Sequence, residues 1–392
     1  MTAARTVGVL RETVPGERRV ALVPALVPPV TRLGPAVVVE AGAGALAGHH
    51  DADYRAAGAA VAGRADLLRR ADVLLGVHPP AVDPAHGLRT GQVLIAMLRP
   101  CRIPYRVRQW ADRGVTAIGL DLVPPGLTAG GPLDAEASQA RIAGYRAVLL
   151  AAVRLDRCLP PWGAADMLFE PVRVLVVGAG HAGLQAADTA RRLGAEVRAV
   201  ELRRPRRAAL AALGVGLLDL PGLRPVAGDR ELWDTLDRER AVWSAGIAAA
   251  VARHDVVVTA PGPSGPSGRR PPVLLSTAAV AAMRPGSVLV DLAVGPDGGT
   301  IEGALPDTTT LVGDGVTVLG AGDLAAQVPG TASRAYAHNV LALLARLLRD
   351  GSPVVDPADP VLQPMVVTHR GTVRHEPTRL LLRAATAAAG LP

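Results

Sequence analysis

The stretch VRVLVVGAGHAGLQAADTARRLGAEVRAVELRR, residues 172–204, leaves little choice of local structure. An apolar run of strand length leads into Gly178, Gly180 and Gly183, and the residues after them place small and apolar side chains at helical spacing. A second strand-like run then ends in Glu201. G-x-G-x-x-G between a strand and a helix, with an acid about 20 residues on, is the fingerprint of a dinucleotide-binding βαβ unit. Gly178 permits the tight turn, Gly180 lets backbone approach a pyrophosphate, and Gly183 lets helix and strand pack closely. The free N–H groups at the helix start face the phosphates. Glu201 stands where an acid accepts the adenosine ribose, which favours NAD(H) over NADP(H), although Arg203 and Arg204 beside it would suit a 2′-phosphate. His181 belongs to this loop on the phosphate side.

The same alternation runs through the chain. TVGVL, AVVVEAG, ADVLLGV, GQVLIAML and GVTAIGLDLVP are strand-length runs separated by helix-compatible segments. VRVLVVGAG, AEVRAVELR, HDVVVTAPG, PGSVLVDLAV and GVTVLGAGD form a second series. The expected fold is α/β, with two Rossmann-like parallel-sheet domains. SQARIAGYRAVLLAAVRLDRCL, Ser138 to Leu159, has no strong breaker and reads as one long linking helix with a cleft beside it. SRAYAHNVLALLARLLRDG reads as a helix closed by Gly351, and VVTHRGTVRH as a hairpin turning at Arg370-Gly371. The chain is expected to return there to its first domain. The boundaries are 1–137 completed by 331–392, and 138–330 including the linking helix. PGPSGPSGRRPP, residues 261–272, reads as a loop.

Composition narrows the partners. All 42 Lys+Arg residues are arginine, so Schiff-base chemistry is excluded. The net charge is +7, but aromatics are only 2% and the arginines are scattered, which argues against nucleic acid. Cys101 and Cys158 lack the spacing of a metal or dithiol motif, so no metal site is expected and the setting is read as reducing and cytoplasmic. The opening residues lack a secretion signal, and no run approaches the roughly 18 apolar residues of a membrane span.

RETVPGERRVALVP, IAGYRAVLLAA, the fingerprint segment, AAMRPGSVLVDLA and GDLAAQVPGTASRAYAHNVLALLARLL together resemble the family that unites alanine dehydrogenase with the alpha subunit of proton-translocating nicotinamide nucleotide transhydrogenase. The likeness runs nearly end to end and leans to the transhydrogenase side, in the split form whose soluble NAD(H)-binding part is a separate polypeptide. The resemblance implies two Rossmann-like domains and a homodimer. It also implies NADP-binding and membrane partners, which would hold the chain peripheral to the inner face of the cell membrane. NAD contacts carry over to Gly180, His181, Ala182, Glu201, Leu202 and Arg203, and more loosely to Gly228 and Gly262. GDRELWDTLDRERAVW matches the family's mobile loop over the cofactor.

The chain also departs from both branches. In PGLTAGGPLDAEASQ, the loop that holds the nicotinamide end in transhydrogenases, the Arg, Gln and Ser positions are Gly126, Gly131 and Ala137, and only Asp134 remains. Of the alanine dehydrogenase set, Arg19 survives. The Lys position is His78, the His position is Arg99, and the Asp after VDLAV is replaced by Gly295 or displaced to Asp297. The catalytic candidates are therefore Arg19, His78, Arg99 and Asp134, with Asp291 and Asp323 at strand ends. Arg19 and Arg99 suit a bidentate carboxylate clamp and His78 a proton shuttle. Three functions are open: transhydrogenation with a partner's NADP(H), a repurposed dehydrogenase or imine reductase of a small carboxylate, and a non-catalytic NAD-binding scaffold.

Overall fold

The computed structural model describes residues 5–81, 87–123, 131–161, 170–261, 272–295, 298–356 and 358–388. Contacts divide the chain into two compact units, Met1–Gln139 with Ala326–Pro392, and Ala140–Ala325. The division falls inside the helix Ala135–Arg154.

In the first unit six parallel strands lie in the order Ala60–Ala62, Ala36–Glu40, Thr6–Val9, Val73–Leu75, Val93–Ala96 and Thr116–Gly119. Numbered along the chain this is 3-2-1-4-5-6, the dinucleotide-fold order. Val93 and Ile95 face one core with Tyr336, Val340 and Leu344 of the helix Pro329–Leu347. Leu94 and Ala96 face another with Leu67, Val107 and Trp110. A parallel sheet needs both faces covered, and the returning C-terminal segment supplies one cover. It also adds two antiparallel strands, Val366–His369 and Thr372–Val373, at the Thr116–Gly119 edge. Their turn is Arg370-Gly371, with φ of 47° and 75°, the paired left-handed residues of a tight hairpin.

The helix Pro329–Leu347 stops four residues before Gly351. Leu348–Arg349 instead pairs with Ser352–Pro353, and Asp350 and Gly351, with φ of 49° and 75°, form the turn. Asp-Gly is a hairpin signal as well as a helix stop, and here the hairpin wins. The linking helix likewise differs from the Ser138–Leu159 expectation. Asp134 caps it, its Oδ1 accepting from Ala137 N at 2.8 Å, so it begins at Ala135. It ends at Arg154, and Leu155 and Leu159 turn into the core of the second unit.

The second unit repeats the order 3-2-1-4-5-6 with Gly216–Leu217, Glu196–Val200, Arg173–Val177, Val256–Thr259, Val288–Asp291 and Val316–Gly320. Thr308–Val312 pairs antiparallel at the edge. The segment expected as a mobile loop is two helices, Asp229–Arg238 and Arg240–Val251. Leu232, Trp233, Leu236, Trp243 and Ile247 are buried in the core, an amphipathic pattern that a loop alignment does not display. Among the described residues no helix is long and apolar enough to cross a membrane.

Candidate functional site

In an open parallel sheet a ligand sits beyond the strand C-termini where the winding reverses. In the second unit that point lies between Arg173–Val177 and Val256–Thr259. Gly178 adopts φ 92°, and a Cβ there would overlap Ala260 O. Gly180 is the N-cap of the helix His181–Arg192, and its carbonyl accepts from Leu184 N at 2.9 Å. At Gly183 a Cβ would overlap Gly178 O, so turn and helix pack backbone to backbone. His181 and Ala182 form the first, half-buried turn of this helix. Gly144, in the IAGYRA segment, has the same relation to Ala182 O, a close helix approach that sequence reading missed. These backbone cradles fit a dinucleotide pyrophosphate.

Glu201 and Arg203 follow the second strand, 2% and 4% exposed. Glu201 Oε1 accepts from Arg203 N at 2.8 Å and Arg203 Nε at 2.9 Å, while Oε2 accepts from Ala179 N at 2.7 Å and Arg203 Nη2 at 2.6 Å. All four acceptor positions of the carboxylate are thus used within the protein. Burial alone would raise the Glu201 carboxyl, but the Arg203 hydrogen bonds and charge outweigh it and hold it below the usual range. Arg203 Nη1 continues to Asp229 Oδ1 at 2.8 Å. Beside this pair lies a pocket lined by Gly178, Glu201, Arg203, Trp233, Trp243 and Leu274, apolar on the tryptophan side. Leu202 points into the core and Gly228 caps the helix Asp229–Arg238. Gly262 lies outside the described residues, as do Gly126 and Asp297.

The first unit carries a second Glu-x-Arg fork of the same geometry. Glu17 Oε1 accepts from Arg19 N at 2.7 Å and Arg19 Nε at 2.8 Å, and Oε2 from Arg19 Nη2 at 2.6 Å. Arg19 Nη1 donates to Gln139 Oε1 at 2.8 Å. His78 Nε2 lies 2.7 Å from Glu17 Oε2, just past the strand Val73–Leu75 and so at the winding reversal of this sheet. Arg19 and His78 are therefore brought together by Glu17, a residue sequence reading passed over. The available signal was the i, i+2 spacing in GERR, matched by ELR at 201–203. The expected Arg19–Arg99 clamp is not formed. Arg19 is spent on Glu17, while Arg99 is exposed with φ 44°, its N–H held by Asp121 Oδ2 at 2.8 Å. Asp134 serves as the helix cap described above. Ala137 donates to it and is buried, Gly131 precedes the cap, and Gly295 pairs with Gly298 in a short bridge. Asp291 is fully buried and Asp323 is exposed.

Glu17 yields a signed prediction. Burial would raise its carboxyl, yet the Arg19 and His78 hydrogen bonds dominate and hold it well below the usual carboxylate range. A depressed folded-state value gives stability that is present above the unfolded value and is lost as pH falls below it. Glu17→Gln is expected to cost about 3 kcal/mol near neutral pH. The gap from the wild type should narrow as pH drops below about 4.5. Urea denaturation at several pH values checks this, and a gap independent of pH would contradict it.

Two family models cover almost the whole of this architecture. Those of the alanine dehydrogenase/PNT family match residues 8–143 with the N-terminal domain and 147–376 with the C-terminal domain. The chain belongs to the alanine dehydrogenase/PNT family. NAD(P) transhydrogenase subunit alpha of Cereibacter sphaeroides is 32% identical over 388 residues, 97% of this chain and 73% of the relative. Alanine dehydrogenase of Mycobacterium tuberculosis is 32% identical over 381 residues, 94% and 95% of the two chains. The solved transhydrogenase of Sinorhizobium meliloti superposes with TM-score 0.82 at 34% identity, over 94% of this chain and 100% of that one. The two family branches thus lie at similar distance, and both names denote oxidoreductases.

Proposed function

We propose that the second unit binds NAD(H), and that the chain acts as the soluble NAD(H)-binding subunit of a transhydrogenase, exchanging hydride with NADP(H) held by a partner chain. The observation that carries this is the glycine cradle at the winding reversal, where Gly178 and Gly183 leave room for no Cβ. The likeness to a solved transhydrogenase chain, over 94% of this chain, supports the transhydrogenase side of the family. When bound, NAD(H) supplies a hydride donor or acceptor at its nicotinamide carbon. This chain's own groups hold the pyrophosphate on backbone N–H at Gly180–Ala182 and keep Glu201 ionised beside the ribose end. On this reading the chain is a cytoplasmic homodimer, peripheral to the membrane through its partner.

A second reading has its own observation, the His78–Glu17 pair. Glu17 is ionised and can only accept, so Nε2 of His78 bears the proton, and Nδ1 of neutral His78 is the basic atom. A carboxylate holding an imidazole in one tautomer is a general acid-base arrangement, suited to a dehydrogenase of a small hydroxy or amino acid. Its carboxylate anchor would have to be Arg99, because Arg19 is already paired.

Mixing the protein with NADH and an NADP analogue, with and without a transhydrogenase NADP-binding partner, and separately with NADH, ammonium and 2-oxo acids, tests both. Partner-dependent hydride transfer is expected. Normal NADH binding with no transfer would overturn the transhydrogenase reading, and turnover with a 2-oxo acid would establish the second.

A further inference from the structure

Glu201 is the acid that sequence logic assigns to the ribose, yet its four acceptor positions are filled by Ala179 and Arg203. The next acid outward is Asp229. Its Oδ1 accepts from Arg203 Nη1 at 2.8 Å, and its Oδ2 makes no hydrogen bond among the described residues. The side chain is 59% exposed, against 5% for Arg203. Arg203 lines the pocket beside Gly178 and Glu201. Asp229 is thus an accessible carboxylate with a spare oxygen, joined to the buried guanidinium at the edge of the nucleotide pocket.

We propose that Asp229, rather than Glu201, is the residue that selects NAD(H) over NADP(H), by accepting from the ribose 2′-hydroxyl and by keeping Arg203 from a 2′-phosphate. The inference rests on the NAD(H) reading above. Glu201 and Asp229 hold the guanidinium of Arg203 between two carboxylates, so its positive charge is already neutralised where a 2′-phosphate would need it. Of the two neighbouring arginines, one is paired within the protein and one is not. Arg207 is committed, Nη1 to Glu201 O at 2.9 Å and Nη2 to Asp219 at 2.8 Å. Arg204 is exposed and makes no ion pair among the described residues. Removing the Asp229 charge therefore weakens the hold on Nη1 of Arg203 and leaves its positive charge less neutralised beside Arg204, two guanidinium groups suited to a phosphate dianion.

The test is titration of the full chain with NADH and with NADPH, followed by the fluorescence of Trp233 and Trp243, which line the same pocket. Asp229→Asn keeps the shape and removes the charge at an exposed position, so folding is not at stake. It is expected to lower the ratio of the NADPH Kd to the NADH Kd at least about tenfold, roughly 1.4 kcal/mol. Adding Arg203→Gln should reverse that gain. An unchanged ratio with NADH binding intact overturns the role of Asp229 alone, as does a gain that persists without Arg203. Failure of the wild type to bind either dinucleotide overturns this inference together with the NAD(H) reading.

Discussion

Asp291→Ala is expected to destabilise the second unit by about 3–5 kcal/mol, because several buried donors lose their acceptor together. The side chain is 0% exposed. Oδ1 accepts from Thr259 Oγ1 at 3.0 Å, Thr300 Oγ1 at 2.9 Å and Ala293 N at 2.9 Å. Oδ2 accepts from Thr300 N at 2.7 Å and Ile301 N at 3.0 Å. Truncation leaves three backbone N–H groups without an acceptor, and an orphaned buried donor costs more than the net value of its bond. For a unit of this size the loss corresponds to a fall of about 10 °C in Tm. Thermal unfolding by calorimetry measures it directly, and a change of only about 1 or 2 °C would show that the loop after this strand rearranges freely. Asp291→Asn should fall between, because one oxygen remains while the new amide faces donors. Its five hydrogen bonds tie the strand Val288–Asp291 to the loop at Thr300 and Ile301, so the residue acts here as scaffold.

Gly183→Ala is expected to weaken NADH binding at least about 100-fold, roughly 2.8 kcal/mol. The added methyl would overlap Gly178 O and touch Ala260 Cβ at 3.4 Å. Neither obstacle is a flexible side-chain end, so the turn that presents the phosphate-binding N–H groups must open. Gly178 cannot compensate, because its φ of 92° and its packing on Ala260 already fix it. Calorimetric titration with NADH, alongside unfolding to confirm the fold, checks this. Affinity within a few-fold of the wild type would mean that the pyrophosphate is held elsewhere.

What could be read from the sequence was what local spacing encodes. The strand-turn-helix at 172–192, both parallel sheets and the Arg370-Gly371 hairpin depend on periodicity and turn chemistry within a few residues, and each is found. Helix ends were harder, since Asp-Gly at 350–351 serves either a helix stop or a hairpin and only tertiary pairing decides. The two helices at 229–251 were hidden by a loop expectation, although Leu232, Leu236 and Trp243 have helical spacing. Least legible were the committed arginines. Nothing near Arg19 announces Gln139, 120 residues away, and nothing near Arg203 announces Asp229. A guanidinium that stands free in a motif can already be saturated by a distant partner, so its role turns on contacts that spacing does not report.

The two sheets share one winding order but treat their reversal points differently. In the second unit the glycine turn brings the N-terminus of the helix His181–Arg192 to that point. In the first, Glu12 Oε1 accepts from Val77 N at 2.6 Å, just past the strand Val73–Leu75, so an internal carboxyl group already occupies the equivalent crevice. The first fold is in this sense a dinucleotide fold whose berth is filled by a carboxyl group of its own. Its consequence is stoichiometric: a saturation isotherm should level at one nicotinamide dinucleotide per chain, because the reversal point of the first sheet is filled by a side chain of its own.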